Sequence, residues 1–128
     1  MPMKRYSEDH QWVKYENGRA TVGITAYAAD ELGDITFVEL PEVGLVVGQG
    51  DVLCVVESAK AASDVYAPVG GTVAEVNRAL DASPITVSDS PESRGWICRL
   101  VEVDESELEN LMTDAQYEEL LDEDEIEE

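Results

Sequence analysis

The stretch VVESAKAASDVYAPVGG, residues 55–71, sets one lysine among small residues and leads from one strand-like run into another. Residues 52–57 are apolar up to Glu57 and rich in valine, the composition of a strand. The chain returns as a second strand from Ala62 through Tyr66. Lys60 therefore falls at the turn between them and projects into solvent from a rigid tip. Ala59 and Ala61 beside it leave the amine sterically open. Pro68 and Gly70-Gly71 then break the run before another short strand. Lys4, Lys14 and Lys60 are the only lysines in a chain with 29 acidic residues, so a lysine at this tip is not casual decoration.

Outward from that hairpin the same logic repeats. QWVKYENGRATVGIT, residues 11–25, reads as two strands joined by Asn17-Gly18, a pair suited to the positive φ angles of a tight turn. TAYAADELG follows as a short helix that Thr25 caps and Gly33 ends. DITFVEL alternates Ile35 and Phe37 against Thr36 and Val38 as a strand, which Pro41 stops. Residues 78–95 are loop-like, with one helical turn opened by Ser83 and Pro84. WICRLVEV is a further strand. Asp104 with Glu107, and Thr113 with Gln116, are spaced like capping boxes and predict two short C-terminal helices. The expected architecture is mainly β, a flattened β-sandwich or barrel with helical additions. One domain spans residues 6–121, after a flexible end at 1–5 and before an acidic tail at 122–128 too charged to pack.

Composition narrows the function classes. A hydrophobic fraction of 44% excludes wholesale disorder. The formal net charge of −21 argues against nucleic acid and anionic membrane as partners, favours a soluble monomer, and suits partners with basic docking faces. A salt-adapted host would also explain so acidic a surface. No apolar run has signal-peptide or membrane-span length, so the cytoplasm is expected. Cys54 and Cys98 sit in separate apolar runs without C-x-x-C spacing and read as reduced and buried. No metal site is expected, because a closed zinc site built around the single histidine, His10, would need carboxylates to complete it. His10 has no nucleophile constellation around it, and no catalytic residue is assigned.

ESAKAASD, residues 57–64, resembles the lipoylation motif of the glycine cleavage system H proteins. The resemblance continues through residues 9–44, through 50–77, and through RGWICRL and ESELENLMTDAQYEELL, covering roughly 6–121 in register. It implies a lipoyl-domain-like fold, a barrel-sandwich hybrid, with lipoic acid held as an amide on Lys60. Glu57, Ser58, Ala59, Ala61 and Asp64 would form the turn that a lipoate-attaching enzyme recognises. The implied partners are a pyridoxal-phosphate-dependent glycine decarboxylase, a tetrahydrofolate-dependent aminomethyltransferase and dihydrolipoyl dehydrogenase. The chain itself would shuttle the aminomethyl group and catalyse nothing. The family also parks its loaded arm in a surface cleft, implying a place there for His10 and Gln11. The family usually has a glutamate where Gln11 stands; a neutral amide accepts a hydrogen bond but adds no charge attraction. The loop SDSPESRGW also departs from the family pattern, placing Glu92 and Arg94 near the cleft rim. Two alternatives stay open: an H-like scaffold for lipoyl relay without glycine cleavage activity, and a lipoyl domain serving a 2-oxoacid dehydrogenase. A biotinyl domain would show methionines beside the lysine, where alanines stand here.

Overall fold

The computed structural model describes residues 3–126, with side chains described through 122. Among the described residues nine strands form two antiparallel sheets. The larger sheet runs β1 (Met3–Tyr6), β2 (Gln11–Glu16), β3 (Arg19–Ile24), β9 (Cys98–Val101), β8 (Gly71–Val76), β5 (Val46–Val47). The smaller one is β4 (Ile35–Glu39), β6 (Val52–Ser58), β7 (Ala62–Tyr66). One core joins them, with Val13, Val22, Val73 and Leu100 from the larger sheet meeting Ile35, Val38, Val56 and Val65 from the smaller. This is the expected mainly β class with helical additions.

The Asn17-Gly18 hairpin forms as expected, with φ of 54° and 78° at the two turn residues. Trp12 lies directly opposite Gly23 in its ladder. A Cβ at Gly23 would stand 2.8 Å from the indole, so only glycine seats this tryptophan. Helix α1 (Ala26–Leu32) is capped by the Thr25 side chain, which accepts from the Ala28 amide, and ends at Gly33 with φ 81°.

Four expectations need correction. Of the loose end expected at 1–5, residues 3–5 belong to β1, which pairs with β2; residues 1–2 lie outside the described residues. A bulge between Ile35 and Phe37 breaks the alternation in β4, so Ile35 is buried while Phe37 turns outward, 50% exposed. Extra backbone at a bulge moves every later side chain to the other face. The 78–95 segment holds two helical turns, α2 (Ala79–Ala82) and α3 (Thr86–Asp89), because Leu80 and Val87 both reach the core. The C-terminal helix α4 (Asp114–Ile126) continues through most of the expected tail; residues 127–128 lie outside the described residues.

Both capping signals work, in different ways. The Gln116 carbonyl oxygen accepts from the Thr113 amide at 2.9 Å and the Thr113 hydroxyl from the Gln116 amide at 3.3 Å, a reciprocal box. Asp104 instead caps a 3-10 helix (Glu105–Asn110) through Ser106, and Glu107 reaches away to accept from the Gly70 amide. Tyr117 then anchors α4: its ring stacks on Tyr6, centroids 4.6 Å apart, and its hydroxyl lies 2.7 Å from both Thr25 Oγ1 and His10 Nδ1.

Cys54 and Cys98 are free and buried. Burial pushes both thiols up, Cys98 to about 12. The folded chain thus keeps these protons after the unfolded chain has released them, and stability is lost as pH rises through the alkaline range. Above about pH 8.5, where free thiols ionise, each should cost the fold roughly 1.4 kcal/mol per pH unit. Urea midpoints between about pH 7.5 and pH 10 read this directly; a flat profile would contradict it. Among the described residues no helix is long and apolar enough to cross a membrane.

Candidate functional site

β6 and β7 pair from Val52 opposite Tyr66 to Glu57 opposite Ala62, leaving the residues after Ser58 to turn the chain. The turn is closed at its base. The Ser58 amide donates to the Ala61 carbonyl at 2.7 Å, and the Ser58 hydroxyl accepts from the Lys60 and Ala61 amides at 3.3 and 3.2 Å. Ala59, Lys60 and Ala61 are all exposed, as the tip reading requires. A serine here serves the bend because its hydroxyl replaces backbone partners that the tight turn leaves free.

The lysine has a neighbour that periodicity did not announce. Ile35 pairs with Ser58, so Gly33, two residues earlier, comes alongside Lys60, two residues later. A Cβ at Gly33 would lie 3.7 Å from Lys60 Cε. The stem therefore leans over the C-terminal end of α1, where the helix dipole favours a cation.

Register also fixes the flanking acids. Val55 faces Asp64 and Glu57 faces Ala62, so Glu57 and Asp64 stand diagonally on one face of the smaller sheet. Phe37 lies opposite Glu57 and Glu39 opposite Val55 on the same face. The lysine turn thus borders an outward face carrying Glu39, Glu57 and Asp64 around an exposed phenyl ring. Phe37 and Glu39 were missed from sequence because regular alternation puts them on the same face as Ile35, which is buried. The bulge that reverses it leaves no mark in this composition.

His10 ends the β1–β2 connection and Gln11 opens β2. His10 adopts φ 69°, and its ring packs on Tyr27 at 4.6 Å besides contacting the Tyr117 hydroxyl. Gln11 is 3% exposed; its carbonyl oxygen accepts from the Ser7 hydroxyl at 2.6 Å and its amide donates to the Asp9 carbonyl at 2.9 Å. It helps line a hollow of about 340 Å³ shared with Tyr66 and Ala67 at the far end of β7, and with Gln49, Asn110 and Met112. Burial pushes Tyr117 up to about 12, so its hydroxyl stays protonated and keeps joining His10 to Thr25. Among the described residues no cluster of histidine, cysteine and carboxylates is placed to hold a metal ion.

Residues 4–124 match the family model described as glycine cleavage H-protein. The chain belongs to the glycine cleavage H-protein family. Glycine cleavage system H proteins of Caulobacter vibrioides and Bacillus velezensis are 55% and 51% identical to it, over 91% and 94% of this chain and 97% and 94% of theirs. That of Thermotoga maritima is 47% identical over 93% of this chain and 96% of its own. The crystal structure of a glycine cleavage system H protein from Mycobacterium marinum superposes with a TM-score of 0.81 at 36% identity, covering 89% of this chain and 92% of that one.

The divergent loop sits away from the hollow beside Gln11 and lines the surface of the larger sheet instead. Glu92, from the divergent loop, accepts from Lys4 Nζ at 2.8 Å and from the Ala26 amide at 2.9 Å, so it braces the start of α1. Arg94 is exposed, and its carbonyl accepts from the buried Asn77 side chain at 2.9 Å. The loop is thereby bound to the body of the fold through Glu92 and the Arg94 backbone.

Proposed function

We infer that this chain works as the lipoyl-carrying shuttle of the glycine cleavage system, with lipoate held as an amide on Lys60. The observation that carries the reading is the Lys60 turn: an open amine on an exposed tip, fixed at its base by Ser58, within a chain of this family. When attached, lipoate supplies a disulfide that accepts the aminomethyl group and is afterwards regenerated. The chain's own work is to hold, present and shelter that arm. The stalk of β6 and β7 holds the attachment point still while the lysine stem supplies the swing. Tethering raises the effective concentration of cargo at each docking event.

The partners are the pyridoxal-phosphate-dependent glycine decarboxylase, the aminomethyltransferase, dihydrolipoyl dehydrogenase and the enzyme that attaches lipoate. The chemistry belongs to them, and this chain is a monomeric, non-catalytic carrier of the cytoplasm. Glu57 and Asp64, with Glu39 and Phe37, form the face that these enzymes read while handling Lys60. The hollow beside Gln11 is the resting place for the loaded arm, where the Gln11 amide offers polarity without charge.

Reconstitution tests this. The lipoylated chain, supplied with glycine and the decarboxylase, is expected to support exchange of carbon dioxide into the glycine carboxyl group. Phe37→Ala should raise the concentration needed for half-maximal exchange about 5- to 30-fold, the effect of losing an aromatic anchor. Added salt should raise it further as the acidic face is screened. No exchange with fully lipoylated protein would sink the shuttle reading. An unchanged half-maximal concentration for the variant would remove Phe37 from the docking face.

A further inference from the structure

The larger sheet carries a feature that arm carriage does not use. On its outward face lies a groove of about 940 Å³ lined by Lys4, Lys14, Arg19 and Arg99, four of the eight lysines and arginines in the chain. The chain carries a net charge of −21, yet half its cations gather here, against Glu16 and Glu92 in the same lining. Both tryptophans, Trp12 and Trp96, form part of the floor.

Register makes the gathering deliberate. Lys4 lies directly opposite Lys14, Lys14 opposite Thr21, and Thr21 opposite Arg99, so three of the cations lie in one row across β1, β2 and β9, interrupted at β3 by Thr21, while Arg19 stands two residues before Thr21. Like charges placed opposite one another destabilise a strand pair. Two of the cations are partly answered: Lys4 by Glu92 at 2.8 Å and Arg99 by Glu75 at 2.8 Å. The Arg99 guanidinium also stacks on Trp96, 4.0 Å from the ring centroid. Lys14 and Arg19 are exposed and have no ion-pair partner among the described residues.

We propose that this groove binds a carboxylate-rich, extended segment of a partner protein. Charge complementarity selects an anion. The spread of the cations selects its shape. Strands lie about 4.8 Å apart, so the Lys14 and Arg99 backbones are separated by roughly 10 Å across the sheet, a span that an extended chain can follow. An extended peptide places alternate side chains about 6.7 Å apart and can set successive carboxylates along such a row. The distant acids of this chain do not forbid the approach, because at physiological ionic strength charges beyond about 8 Å are largely screened. The groove is built from β1, β2, β3 and β9, whereas the lysine turn joins β6 to β7, so the two surfaces belong to different sheets.

The tryptophans report occupancy. Titrating the intact protein with an oligoglutamate peptide is expected to give a saturable change in tryptophan fluorescence that weakens as salt rises. Lys14→Glu combined with Arg19→Glu should weaken binding at least tenfold, while Lys60→Gln leaves it unchanged. Both groove positions are exposed, and the milder Lys14→Gln with Arg19→Gln, expected to weaken binding severalfold, serves if charge reversal disturbs the fold. The proposal is overturned by the absence of a saturable change. It is also overturned by an equal response to inorganic phosphate, which would mark a small-anion site, or by folded variants that bind as tightly as the parent.

Discussion

Lys60→Arg is expected to fold as the parent does, take up no lipoate, and leave aminomethyl transfer at background. The charge and much of the stem are kept, so contact with the end of α1 survives. What is lost is the nucleophile: a guanidinium stays protonated at every working pH and does not form the amide. The other lysines are not expected to substitute. Lys4 is held by Glu92, and Lys14 stands within β2 on the face of a sheet, not at an exposed turn. Intact mass after incubation with lipoate and an active attaching enzyme reads the first part, and the exchange assay reads the second. Lipoate found on Lys14 of this variant would contradict the turn argument.

Leu100→Ala is the substitution expected to damage the fold most. Leu100 is fully buried in β9, opposite Ala20 on one side and Val73 on the other, and so stands at the centre of the larger sheet. Truncation there removes the burial of the side chain and leaves a cavity between strands that are pinned on both edges. The expected loss is about 2–5 kcal/mol, a large share of the roughly 5–15 kcal/mol that stabilises a domain. At about 4 °C per kcal/mol for a chain of this size, Tm should fall by roughly 8–20 °C. Val46→Ala is the comparison, since Val46 is 73% exposed and should move Tm by little. Equal shifts for the two would mean that the core is not where the structure puts it.

Most of the fold was legible because local signals and long-range partners agree. Asn17-Gly18, Thr25, Gly33 and the Thr113–Gln116 pair each declare a local geometry that the surrounding chain also needs. The Lys60 turn belongs to the same kind: apolar strands on both sides leave little else for small residues and a lysine to be. The failures share a cause as well. Phe37 was placed on the same face as Ile35 because alternation carries no trace of a bulge, and the bulge lies in the pairing with β6. Residues 3–5 were read as loose because β1 is held by pairing with β2 and by Tyr6 stacking on Tyr117, more than a hundred positions away. The groove cations lie on segments from opposite ends of the chain, and only the order β1-β2-β3-β9 brings them to one face.

The central claim is that Lys60 is the point where the arm is attached. The most direct test is the intact mass of the protein after treatment with lipoate and an active lipoate-attaching enzyme, followed by peptide mapping. One lipoyl-sized increment, confined to the peptide containing Lys60, is the result expected here. A folded protein with no increment, while a control substrate is modified in the same reaction, would contradict it, as would an increment mapped to Lys4 or Lys14.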